Sequence, residues 1–188
     1  MIFRLLAMLL MMAVGGCASR PLSPNEWPAS WPTLKTIANG RCPNIDGLYM
    51  DIGLSTDPYS MESDMSLSVW LLHYQPSGPS PRTKIKQISN DEIEVEVFND
   101  LGPLKKAVLS RIKGDFDCDG EGLWTRPREE TKKDGTGIAH NSISMGFRET
   151  DGSALAGRKR NRGVAALLWG IPIVGSQSAW FRWKNLAQ

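Results

Sequence analysis

The chain reads as one mainly β domain, an antiparallel barrel or sandwich of about 7–9 strands, with one short helix near residues 32–39. Three observations carry that expectation. Runs rich in Val, Ile, Leu, Trp and Tyr recur at intervals of about ten residues, with Gly, Pro, Asn and Asp between them. Glu92–Phe98 alternates strictly, with Ile93, Val95 and Val97 on one face and Glu92, Glu94 and Glu96 on the other. Neither a long amphipathic helix nor an internal repeat is visible.

In chain order, Pro32–Asn39 ending at Gly40 has Pro at a helix start and Gly just past its end, so it is the one helix expected. Ser66–Tyr74, bounded by Pro76-Ser77-Gly78-Pro79, reads as a buried strand and a loop, with His73 a core histidine inside it. Thr83–Ile88 and Glu92–Phe98 follow, and Asn99-Asp100-Leu101-Gly102 turns the chain into Leu104–Lys113. Gly122–Thr125, Gly137–Phe147, Ser153–Lys159 and Ala179–Asn185 complete the strand set.

Ahead of this domain, Met1–Arg4 carries one positive charge, and Leu5–Val14 is an unbroken apolar run too short to cross a membrane as a helix. Val14-Gly15-Gly16-Cys17 follows, and it resembles the lipobox of bacterial lipoprotein precursors. The resemblance implies a signal peptide over residues 1–16, cleavage before Cys17 and lipid, palmitate included, on that cysteine. Ala18 stands where many Gram-negative lipoproteins retained at the inner membrane carry Asp. The implied address is therefore the outer membrane, lipid-anchored on its periplasmic face. Residues 17–31, with Pro21, Pro24 and Pro28, form a tether, and 32–188 the β-rich domain. Trp27-Pro28 and Trp31-Pro32 recur at a spacing of four, and docking of these tryptophans on the body is expected over a place among lipid headgroups.

Cys42-Pro43-Asn44-Ile45-Asp46-Gly47-Leu48-Tyr49 is similar to the Cys-Pro-x-Leu/Ile-x-Gly-x-Tyr stretch of uncharacterised proteobacterial outer-membrane lipoproteins, which implies location and fold more than function. Its Gly-x-Tyr also resembles the Gly-x-Trp of lipocalins, so a lipocalin-like barrel is one form the domain can take. Physically, Gly47 allows close packing and Tyr49 closes one end of the sheet.

With Cys17 lipidated, Cys42 and Cys118 remain, an even pair in an oxidising compartment. A bridge between them is expected; two buried free thiols are the other reading.

The net charge of +2 hides an uneven distribution. From Cys42 to Glu121 there are fourteen acids and seven bases, and from Gly122 onward five acids and eleven bases. Either the molecule is oriented near an anionic surface, or two faces of one barrel neutralise each other.

Two segments are candidates for chemistry. Asp115-Phe116-Asp117-Cys118-Asp119-Gly120 resembles the first half of an EF-hand calcium loop, but Arg126 stands where the bidentate Glu belongs. An acidic hairpin turn, with Asp119-Gly120 as turn residues, is the preferred reading, and no metal is expected. The second is Arg158-Lys159-Arg160-Asn161-Arg162, read as a basic turn, followed by apolar Val164–Gly175. Arg158, Lys159, Arg160, Arg162, Leu167, Leu168 and Trp169 are candidate membrane-contact residues, the bases for anionic headgroups and the apolar ones for the bilayer. Alternatively the apolar segment caps the core.

No catalytic residues or cofactor are expected. The two histidines, His73 and His140, join no recognisable triad, and Gly-x-Ser-x-Gly, phosphate-loop and His-Glu-x-x-His motifs are absent. The expected function is that of a non-enzymatic envelope lipoprotein acting through protein or membrane-surface contacts. The alternative is a lipocalin-like carrier of an apolar ligand. The expected partners are the membrane, through lipid on Cys17, and another envelope protein; nucleic acid is not among them.

Overall fold

The alternating segment becomes strand β4 (Glu92–Asn99), with Ile93, Val95 and Val97 fully buried and the glutamates facing outward. It belongs to a computed structural model that describes residues 27–38, 41–134, 137–152, 154–167 and 172–186. Around it β1 (Gly47–Met50), β3 (Arg82–Gln87) and β5 (Gly102–Ser110) form a four-stranded antiparallel sheet in the order β1-β3-β4-β5. Asn99 shapes the β4–β5 turn as expected: its Oδ1 accepts from Leu101 N–H at 2.8 Å, and Gly102 takes φ +133°.

The second sheet contains β2 (Leu54–Ser55), β6 (Phe116–Asp119), β7 (Gly122–Thr125), β8 (Arg128–Asp134), β9 (Gly137–Glu149), β10 (Ala154–Leu167) and β11 (Pro172–Lys184). Its order is β2-β11-β10-β9-β7-β6, with β8 pairing the far half of β9. A bridge between Tyr49 and Asn185, and a bond from Leu186 N–H to the Leu48 carbonyl at 2.6 Å, stitch the two sheets together along one edge. The domain is therefore mainly β and antiparallel, as expected. Eleven strands are found among the described residues, more than the 7–9 expected; β1, β2, β6 and β8 are missing from the expected set, because the first three are only two to four residues long and β8 is rich in lysine and glutamate.

Both sheets feed one core: Ile85, Ile93 and Val95 from the first, and Leu123, Met145, Phe147, Leu155, Phe181 and Trp183 from the second. The disulfide Cys42–Cys118, with Cα atoms 5.2 Å apart, ties the lead-in of the first sheet to the edge strand β6 of the second. Tyr49 is buried, and its hydroxyl donates to the carbonyls of Ile45 at 3.1 Å and Asp46 at 3.0 Å. Burial, with Glu149 and Asp46 nearby, raises its pKa.

Four sequence expectations are corrected. Residues 32–38 are not helical: Leu34 bridges Thr150, Lys35 N–H bonds the Glu149 carbonyl at 3.0 Å, and Thr33 accepts from Asp151 N–H at 2.8 Å. Pairing with the β9–β10 connection thus takes the backbone groups that a helix would use, and Trp27 anchors the segment edge-on to Trp31 and Trp180, each at 5.0 Å. Ser66–Tyr74 is not a strand but contains helix α2 (Leu67–Leu72), preceded by α1 (Glu62–Met65). Ser66 caps α2 by accepting from Val69 N–H, and Leu67, Trp70 and Leu71 recur at helical spacing on its buried side. His73 is not a core residue; it ends α2 in the left-handed region at φ 50° and is exposed. Arg158–Arg162 is not a turn but the middle of β10, paired on both sides by β9 and β11.

Candidate functional site

Thirteen residues of β10, Ala154–Ala166, pair with β11, β9 flanks nearly the same length on the other side, and β8 flanks only the far half of β9. At about 3.4 Å per residue this makes a ribbon of roughly 44 Å. The core uses only its first half. On the inward face, Leu155 and Gly157 are buried, and Lys159 then donates from Nζ to Asp64 at 2.9 Å beside Trp70. Arg128 lies over the same indole at 4.2 Å, so two cations and an aromatic ring close the end of the core. Desolvation, the larger cause, together with the charge of Arg128, lowers the pKa of His73. Beyond that plug the inward face carries Asn141, Asn161, Gly163, Gly175 and Gln177, which line an open recess of about 220 Å³.

The outward face is different in kind. Strand alternation puts Arg158, Arg160 and Arg162 on it, in cross-strand rows with Gly146 and Trp180, Ser144 and Ser178, and Ser142 and Ser176 respectively. Arg160 stacks on Trp124 with Cζ 3.8 Å from the ring centroid, and Arg158 lies over Trp180 at 5.5 Å. Gly146 makes the first stack possible, because any Cβ there would meet the Trp124 ring at 2.6 Å. Glu121, at the tip of the β6–β7 hairpin, reaches Arg160 in an ion pair and Arg158 at 3.8 Å. Desolvation, with repulsion from Arg160, lowers the pKa of Arg158 even beside that carboxylate. Two open recesses of about 610 Å³ each adjoin the row, one bounded by Arg111, Trp124, Arg126 and Arg160, the other by Glu121, Arg158, Arg162 and Ser178.

Past Arg162 the outward face turns apolar: Val164 is 48% exposed and its partner Val174 79%, while Ile138 of β9 is 42% exposed. Of the candidate membrane-contact residues, Arg158, Arg160 and Arg162 therefore share one face. Lys159 does not: it points to the opposite face and is engaged with Asp64, which removes it from the set. Leu168 and Trp169 lie outside the described residues, as does the lipidation candidate Cys17, and the side chain of Leu167 is likewise not described.

Most of the acidic motif is strand rather than turn, since Phe116–Asp119 forms β6, and the chain turns one residue later than expected, on Gly120-Glu121. Asp119 Oδ1 accepts from Glu121 N–H, Gly122 N–H and Trp124 Nε1–H at 2.7–2.9 Å. Asp115 accepts from Ser110 N–H, and Asp117 pairs with Arg111 at 2.8 Å. A hydrogen bond from Cys118 N–H, then Arg111, lowers the Asp117 pKa. Each carboxylate is thus oriented by its own loop. Among the described residues no group of three or more His, Cys, Asp or Glu is placed to hold a metal ion.

Sequence reasoning missed Trp124, Glu121 and the serines. The signal was there, since Arg158-x-Arg160-x-Arg162, Ser142-x-Ser144 and Ser176-x-Ser178 all have the period of a strand face.

The acids of the first sheet are neutralised within it. Lys84, Glu96 and Lys106 stand in one cross-strand row, and Lys106 bonds Glu94 at 3.0 Å. The acidic front and the basic back of the sequence meet at Asp64 with Lys159 and at Glu121 with Arg158 and Arg160, so the two halves neutralise each other in part, while Arg162 has no ion pair among the described residues. Comparison with protein-family models, curated proteins and solved structures finds no match to this chain.

Proposed function

We propose that this chain is an exported lipoprotein, cleaved before Cys17 and held by lipid on it at the periplasmic face of the outer membrane. It works without catalysis, through contacts of the projecting β9–β11 ribbon with the membrane surface or another envelope protein. The observation that carries the reading is the order of groups on the outward face, where exposed Val164, Val174 and Ile138 lie immediately beyond Arg162. Apolar side chains entering a bilayer would bring the arginines to headgroup level, each contributing about 1 kcal/mol near anionic lipid. The ten residue steps from Cys17 to docked Trp27 span at most about 36 Å when extended, so a lipid anchor keeps the body close to the surface. A carrier of an apolar ligand has less support, because Trp70, Trp183, Phe147, Phe181 and Met145, all 0–2% exposed, fill the space between the sheets.

The test has two steps. Radiolabelled palmitate fed to a bacterium expressing the full chain is incorporated, and Cys17→Ser abolishes the label. The unlipidated Cys17→Ser protein then floats with vesicles of equal parts phosphatidylcholine and phosphatidylglycerol, and Val164→Asp with Val174→Asp releases it. Label that survives Cys17→Ser refutes the anchor. Flotation indifferent to the valine changes refutes membrane contact by the ribbon.

A further inference from the structure

The arginine row has features that membrane contact alone does not require. Three guanidiniums recur at alternate positions of one strand, about 7 Å apart, and like charges at that spacing repel. The fold nevertheless orients them, Arg160 on the Trp124 ring and Arg158 on that of Trp180, with Gly146 kept free of a side chain to seat Trp124. Serine hydroxyls stand on both sides of Arg160 and of Arg162. One of them, Ser142, already donates to Glu129 at 2.8 Å. Glu121 engages Arg158 and Arg160 and leaves Arg162 without an ion pair among the described residues.

We propose that the outward face of β10 is a receptor for a phosphate-bearing anion, and that the Glu121 carboxylate occupies it until the ligand arrives. Guanidinium forks match phosphate oxygens two at a time, and flanking hydroxyls add donors that a planar carboxylate uses less fully. Glu121 suits the part of a displaceable occupant. Its side chain is 59% exposed and sits between Gly120 and Gly122 in a hairpin turn. Its exposed pairing is worth little, so a dianion reaching Arg160 and Arg162 together outcompetes it. The spacing favours a ligand with two phosphates or a row of phosphate headgroups. The proposal shares its face with the membrane-contact reading but does not depend on the apolar end entering a bilayer.

The test is titration of the full chain, solubilised in non-ionic detergent, with inorganic pyrophosphate, read by heat and by tryptophan fluorescence. Saturable binding is expected. Arg160→Gln and Arg162→Gln each weaken it about tenfold. Glu121→Gln tightens it by about two- to fivefold. Glu130→Gln, the same charge change on the inward face of β8, leaves it unchanged. A second arm uses the unlipidated Cys17→Ser protein without detergent and vesicles of phosphatidic acid in phosphatidylcholine. Arginine-dependent vesicle binding that pyrophosphate displaces only weakly assigns the phosphate to a headgroup, whereas tight pyrophosphate binding with weak vesicle binding assigns it to a soluble ligand. Binding to neither probe overturns the proposal, as does binding indifferent to both arginines or equal effects of Glu121→Gln and Glu130→Gln. Val164→Asn separates the two readings, since it weakens flotation while adding no charge beside Arg162 and so leaves the pyrophosphate affinity unchanged.

Discussion

Replacing Asp51 should damage this domain more than any other single exchange of a polar side chain. The residue is 0% exposed, and four donors converge on its carboxyl: Ser66 Oγ at 2.6 Å, Ser68 N–H at 2.8 Å, Ser68 Oγ at 3.1 Å and Thr83 Oγ1 at 2.5 Å. Its own backbone joins the same junction, accepting from Leu67 N–H at 2.8 Å and donating to the Pro81 carbonyl at 3.0 Å. Thus one side chain fastens the start of α2 to β3, and α2 in turn delivers Leu67, Trp70 and Leu71 to the core. Removing the carboxyl by Asp51→Ala strands three buried hydroxyls and one amide. An unsatisfied buried group costs about 1–3 kcal/mol, but the groups share one site and partly re-pair, so the sum does not apply. A loss of about 3–5 kcal/mol is expected, which for a domain of this size lowers Tm by roughly 10 °C or more.

Asp51→Asn refines the argument. The amide keeps one oxygen for Ser68 N–H and Thr83, while its NH₂ requires the Ser66 and Ser68 hydroxyls to rotate from donating to accepting, so a smaller loss of about 1–2 kcal/mol follows. The assay is urea unfolding followed by tryptophan fluorescence, with Ser66→Ala closing a double-mutant cycle. A coupling of about 1 kcal/mol or more between Asp51 and Ser66 is expected. An Asp51→Ala protein within about 1 kcal/mol of the parent would refute the reasoning, as would strict additivity with Ser66→Ala.

Three further outcomes are expected. Replacing Cys42 and Cys118 together by Ala opens a loop with a sequence separation of 76 and lowers the unfolding free energy by about 4 kcal/mol, read as a shifted urea midpoint. The lowered His73 pKa means that the unfolded chain binds a proton more readily, so stability is full above about pH 6.5 and declines as pH falls through the lowered folded value. His73→Asn, which tolerates the left-handed cap, flattens that part of a Tm-against-pH profile, and an unchanged slope would refute the assignment. Gly146→Val expels the Trp124 ring from its seat, which destabilises by about 1–3 kcal/mol and weakens pyrophosphate binding through Arg160.

The sequence made β4 legible because its period was unambiguous and its two faces differ in chemistry. The Asn99–Gly102 turn is legible for a comparably local reason, and the Cys42–Cys118 tie because only two cysteines follow Cys17. Ser66–Tyr74 misled because a short apolar run fits a buried strand or a buried helix equally well. What decides for helix is Ser66 as cap and a carboxylate fifteen residues upstream, and that pairing exists only once β1 and β3 have met. Arg158–Arg162 misled in the opposite sense. Five polar residues suggest a turn because strands are usually recognised by the apolar side chains they bury, and this stretch has none. Its period-two spacing was the better guide, and it becomes visible only when the matching serines of β9 and β11 are set beside it.

That the ribbon continues past the core needs a reason beyond stability. A strand that goes on for about seven residues beyond its last buried apolar side chain orders backbone at roughly 1–2 kcal/mol per residue without hydrophobic return on either face. Here the chain closes its core at Trp70, held between Arg128 and Lys159, yet extends β8–β11 well beyond that plug. Within the extension β10 carries asparagine, glycine and alanine inward and three aligned arginines and then Val164 outward, while β8 places Glu130 and Lys132 on the inward face and Glu129 on the outward one. The arginines of β10 nevertheless stand in one row on one side, with Val164 and Val174 next along it, and an aligned row of this kind is what a surface-facing role uses.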